Sequence, residues 1–166
     1  MTKLISALLA CLLSFLPYGV LRPEPVENAY MQVFQEFVED RNNIAYVAVD
    51  LRGVWLEDTT KLEEAIQAYC DENDITLLPY DFDWLVEEGY IKVEARLYDG
   101  YPWDFWYFVD GERFRLSTVA SGNKAVAIKA ICECNNASGT NWECMVERSF
   151  GKWKIVEPVI KICWDA

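Results

Sequence analysis

The chain has 166 residues, 52 % of them hydrophobic and 14 % aromatic, which suits one packed domain of ordinary size and is too apolar for intrinsic disorder. Net charge is −12 and the sequence pI near 4.4, so the surface repels phosphate backbones and disfavours nucleic acid as a partner. With no histidine, histidine-based triads, metal ligands and proton shuttles are excluded.

Lys3 precedes an uncharged apolar run over residues 4–16, followed by Pro17, Tyr18 and Gly19. Residues 1–21 therefore read as a signal peptide or membrane anchor, and residues 22–166 as a single domain. Leu8-Leu9-Ala10-Cys11 matches a lipoprotein box with Cys11 as the lipidated residue. The expected location is the cell envelope or the extracellular side, with the N-terminal segment as the contact to a membrane.

After a proline-bearing spacer, Ala29, Tyr30, Val33, Phe34, Phe37 and Val38 recur at helical spacing up to Asn42 and Asn43. Residues 44–51 are apolar on both parities, as in a strand buried on both faces. Thr60 and Glu63 form a capping box at the start of a helix whose stripe is Leu62, Ala65, Ile66, Tyr69 and Cys70. A short apolar run over 75–78 ends at Pro79, and Asp81 is placed to cap a third, short helix closed by Gly89. Charge is concentrated in this half: residues 26–110 hold 20 acids against 5 bases, and residues 111–166 hold 6 against 8. The acidic run from Asp71 to Asp74 fails as a calcium loop, because Thr76 stands where the turn glycine belongs and Phe82 where the bidentate glutamate belongs. No metal site and no cofactor are expected.

From Tyr90 onward the pattern is of strands. Ile91, Val93, Ala95 and Leu97 alternate with charged residues up to Asp99-Gly100. Asp110-Gly111 predicts a two-residue hairpin that sets Tyr107 opposite Phe114, Trp106 opposite Arg115 and Phe108 opposite Arg113. Val126, Ile128, Ala130, Cys132 and Cys134 share one face of the next strand, and Trp142, Cys144, Val146 and Phe150 one face of its antiparallel partner, with Arg148 as the misfit. Past Pro158 the apolar parity moves to Ile160, Ile162 and Trp164, which predicts a bulge there. Helices first and sheet last is an α+β order.

Without Cys11, five cysteines remain, so at least one stays unpaired in a monomer. Matching faces place Cys144 near Cys132 or Cys134, and a Cys132–Cys144 bridge is expected in an exported protein, against free buried thiols as the alternative. Cys70 and Cys163 form a second candidate pair. Asn136-Ala137-Ser138 matches a glycosylation sequon. The densest aromatic stretch, residues 98–108, supplies the candidate binding residues Trp103, Trp106 and Tyr101, whose rings can stack on a sugar or an apolar ligand, and Asp104, which can hydrogen-bond to it; the competing reading makes these rings core and cross-strand pairs. No residue is singled out as catalytic.

The Trp142 strand and the Gly151-Lys152-Trp153-Lys154-Ile155 hairpin resemble the end of NTF2-like (cystatin-like) domains of exported bacterial proteins and lipoproteins. The resemblance implies N-terminal helices on a curved antiparallel sheet of about five to six strands, from which residues 44–78 depart as a β-α-β insertion. The expected function is a non-enzymatic, membrane-tethered domain that binds a small ligand or a partner protein of the envelope in a helix-sheet concavity. The alternatives are a carbohydrate-active hydrolase with paired carboxylates, and a structural or inhibitory interaction module.

Overall fold

The computed structural model describes residues 23–39, 41 and 44–165; the leader with Cys11 lies outside them, as do Asn42 and Asn43. The described elements begin with α1 (Glu27–Glu39), β1 (Tyr46–Gly53), α2 (Thr60–Glu72), β2 (Thr76–Leu78) and α3 (Phe82–Glu87). Strands follow: β3 (Ile91–Tyr98), β4 (Tyr101–Phe108), β5 (Gly111–Ser121), β6 (Ala125–Glu133), β7 (Ser138–Ser149) and β8 (Lys152–Asp165). The fold is mixed α+β. Its main sheet runs β2-β1-β5-β6-β7-β8, and β3 with β4 forms a separate two-stranded sheet.

The main sheet is not antiparallel throughout. The α2 crossover returns the chain in the direction of β1, so β1 pairs in parallel with β2, and also with β5. Only β5 to β8 form an antiparallel meander.

Each face of the sheet has its own core. On one face, the apolar stripe of α1 sets Phe34 and Phe37 edge-on to Phe114, with ring centroids 5.3 and 4.9 Å apart, and Phe37 against Trp142 at 4.5 Å. Val126, Ile128, Ala130 and Cys132 close this core as the alternation predicts, together with Leu62 and Ile66 of α2. On the other face, Ala48, Leu78, Leu85, Ile91 and Phe108 form a smaller cluster under α3. Residues of both parities in β1 are therefore covered.

The Asp110-Gly111 turn forms without making the predicted hairpin. Asp110 takes a positive φ of 54°, but β4 pairs with β3 while β5 pairs with β1 and β6. Gly111 is why the chain can turn so sharply here: a Cβ on it would lie 2.5 Å from the Phe108 ring and 2.7 Å from the Tyr46 carbonyl oxygen. The two-residue hairpins are instead at Asp99-Gly100 and Phe150-Gly151, where all four residues have positive φ as such turns require. Phe150 is thus a fully exposed turn residue and not a core residue. Arg148, the misfit, lays its guanidinium over the Trp153 ring at 4.4 Å.

Three further expectations are corrected. Register pairs Cys132 with Thr140 and Cys144 with Ile128. Four residues of strand separate the two positions, roughly 13 Å, where a disulfide needs Cα atoms within about 7 Å. Both thiols are free, as are Cys70, Cys134 and Cys163. The helical start slips by one residue: Thr59 is the N-cap without a side-chain cap, and the Asp58 carboxylate accepts from the Thr60 N–H at 2.9 Å. The bulge in β8 falls where Pro158 predicts, since β8 spends four residues, from Val156 to Ile160, while β7 spends two, from Met145 to Glu143. An even shift keeps the parity, so Ile162 pairs with Asn141 on the outer face and is 54 % exposed.

Candidate functional site

The four aromatic-stretch residues do not converge. Tyr101 and Trp103 lie on one face of β4, whereas Asp104 and Trp106 lie on the other, because side chains alternate along a strand. Trp106 packs into the second core, edge-on to Phe82 at 5.7 Å. Arg113 faces it at 5.4 Å, and also Tyr80 at 4.6 Å and Phe82 at 5.4 Å. The expected cation-ring partnership is therefore real in kind but uses different partners. Arg115 turns to Tyr80, donating to its hydroxyl at 3.2 Å.

On the outward face of β4, Tyr101, Trp103, Phe105 and Tyr107 form a row. Trp103 and Phe105 are 5.7 Å apart, Phe105 and Tyr107 6.0 Å. From β3, the Arg96 guanidinium covers the Phe105 ring at 3.6 Å and ion-pairs with Glu94, which accepts from the Tyr107 hydroxyl. The base of the hairpin is buried through Ile91 and Phe108, with Trp106 packed against them. Its distal end projects, with Leu97 75 % and Tyr101 76 % exposed on opposite faces.

A residue that sequence reasoning assigned differently fastens this hairpin. The Asn136 side chain accepts from the Trp106 N–H at 3.2 Å and donates to the Asp104 carbonyl at 2.8 Å. Its own backbone N–H reaches the Trp106 carbonyl, and Phe108 N–H donates to the Cys134 carbonyl. The sequon asparagine therefore serves as a strand mimic along β4. The outer edge of β3 pairs with no strand among the described residues.

The space between α1, α2 and the sheet, where a ligand concavity was expected, is filled by Tyr30, Phe34, Phe37, Leu62, Ile66 and Phe114, all nearly inaccessible. The cavities lie elsewhere. One of about 500 Å³ sits at the carboxyl end of β1, lined by Val49, Asp50, Leu51, Arg52, Leu56 and Tyr80 among others. Asp50 is 5 % exposed and heavily bonded: its Oδ1 accepts from Arg52 N and Nε at 3.0 and 2.8 Å, and its Oδ2 accepts from Arg52 Nη2 at 2.8 Å and lies 3.7 Å from Arg115 Nε. The Arg52 hydrogen bond holds the Asp50 carboxyl below the usual carboxylate value of 3.8. A group so held is a fixed carboxylate and unsuited to the proton-donating role that paired-carboxylate hydrolysis requires.

A smaller cavity of about 210 Å³ gathers Cys132, Cys134, Cys163, Glu112 and Arg41. Burial, with the Glu112 carboxylate in contact with its sulfur, pushes the Cys132 thiol well above its ordinary value. That opposes thiolate chemistry. Among the described residues, no cluster of three or more Cys, Asp or Glu is arranged to hold a metal, and no helix is long and apolar enough to cross a membrane. No family model, curated protein or solved structure matches the chain.

Proposed function

We propose that this chain is an exported, membrane-tethered interaction domain, non-enzymatic, that binds a partner protein through the distal half of the β3–β4 hairpin. The observation that carries the reading is the exposure of Leu97 and Tyr101, one on each face at the tip of a two-stranded ribbon that stands apart from the main sheet. A two-stranded hairpin is marginal alone and gains stability when a partner wraps its tip, covering Leu97 on one face and Tyr101 on the other. Burying side chains of this size contributes about 1.5–3 kcal/mol each. Tyrosine, tryptophan and arginine, here Tyr101, Trp103 and Arg96, are the residue types that dominate protein-protein contacts.

The filled helix-sheet space favours a protein partner over a small ligand enclosed there. Export and tethering rest on the apolar leader and the Cys11 box. In the NTF2-like reading, β5 to β8 are the curved antiparallel sheet, α1 is the helix laid across it, and β1-α2-β2 is the insertion.

The test is a pull-down from envelope extract with the wild type and with Leu97→Glu and Tyr101→Ser. Loss of a co-purifying protein in both variants, with unchanged thermal stability, is the expected result. Retention of every bound protein by both variants would overturn the reading.

A further inference from the structure

We propose that the cavity at the carboxyl end of β1 is a docking slot for a basic, extended segment of a partner protein, seated where β2 stops short. β2 pairs with β1 only at Tyr46, Val47 and Ala48. Pro79 then ends β2, having no N–H to continue a ladder, and Tyr80 leads the chain away toward α3. The remaining residues of β1, Val49 to Gly53, have no strand on that side among the described residues.

The cavity occupies this gap. It is lined by Val49 and Leu51, which face the α1 core, and equally by Asp50 and Arg52, which face the other way. A cavity reached by both parities of one strand lies at the strand's edge and not over a face. The Leu51 carbonyl already accepts from Val54 N–H at 3.0 Å and the Arg52 N–H donates to Asp50, so the open edge runs from Val49 to the Leu51 N–H, roughly 7 Å, which admits one end of a short added strand through main-chain hydrogen bonds. Open sheets receive ligands at the carboxyl ends of parallel strands, and this is such an end, with the start of α2 beside it.

Charge selects the occupant. Glu57 and Glu63 stand on the rim, and an adjoining groove of about 540 Å³ along α2 and β2 continues with Glu63, Glu64, Asp71 and Leu77. Arg52, the one cation among the described residues lining the cavity, is neutralised by Asp50. Apolar Leu51, Leu56 and Leu77 line the same two cavities as these acids, and since an extended segment turns successive side chains to opposite sides, the complementary one alternates Lys or Arg with apolar side chains. The hairpin surface lies on a different sheet, and this inference does not depend on it.

The probe is an end-capped hexapeptide alternating Lys and Val, titrated into the isotope-labelled full chain while backbone amides are followed by NMR. Shifts are expected at Val49 to Leu51 and at Thr76 to Leu78, with affinity falling as salt is raised. Glu57→Gln with Glu63→Gln, both exposed positions, weakens binding roughly three- to tenfold. Leu97→Glu leaves it unchanged. An alternating Glu and Val peptide, or a Lys and Val peptide N-methylated along one edge, is expected not to bind. Equal binding by either control, or no amide shift from Val49 to Leu51, would overturn the proposal.

Discussion

Replacing Asp50 by Asn tests whether the polar network beside β1 is held by charge. The substitution keeps the shape, and the remaining carbonyl oxygen can still accept from Arg52 N. The new amide, however, turns donors toward the Arg52 and Arg115 guanidinium groups, which also donate. Hydrogen bonds to charged groups contribute about 1.5–3 kcal/mol each, but Arg52 is 81 % exposed and regains water, so the net loss is about 1.5–3 kcal/mol in total at neutral pH. The folded pKa of Asp50 is depressed, so its stabilisation is complete above about pH 4 and is lost as pH falls through the folded value. The gap between wild type and variant in urea unfolding should therefore be full at about pH 7 and close toward about pH 2. A gap equally wide in acid would refute the electrostatic argument and leave only packing.

Other outcomes follow from local geometry. Gly111→Ala drives a methyl into the Phe108 ring and the Tyr46 carbonyl, and should cost about 1–3 kcal/mol in thermal unfolding. Under alkylation of the native chain, exposed Cys163 should react first; Cys70 and Cys144, whose thiols burial pushes up to about 11, and buried Cys132 should react only after denaturation. A Cys132–Cys144 linked peptide in a non-reducing digest would contradict the register. Asn136→Ala removes both side-chain bonds to β4 and should speed amide exchange across Tyr101 to Phe108, while exchange in β6 stays unchanged.

The parts of the fold legible in sequence are those that local pattern controls. The alternation through Val126 to Cys132 and Trp142 to Val146 marks the core faces of β6 and β7, and the stripe from Ala29 to Val38 marks α1. Asp81 caps α3, accepting from Trp84 N–H at 3.1 Å. What escaped is long-range choice of partner. Asp110-Gly111 carries a strong hairpin signal, yet Gly111 sits so close to the Tyr46 backbone that β5 joins β1 instead. That single change reassigns Arg113 and Arg115 and moves the aromatic stretch out of the main sheet. Register likewise decided the cysteines, because alternation fixes the face of Cys144 and not its position along the neighbouring strand. At the candidate site, the aromatic density was visible, and the opposite parities of Trp103 and Trp106 already separated them. The role of Asn136 was not visible, since it depends on a loop folding back along β4.

The most direct measurement is site-specific photo-crosslinking in the native host, with a benzoylphenylalanine placed in turn at Leu97, at Tyr101, and at Val119, which is 52 % exposed on β5. Covalent adducts to one and the same protein from positions 97 and 101, and none from 119, are the predicted result. The absence of an adduct from 97 and 101, or the same adduct from all three positions, would contradict the hairpin as the contact surface.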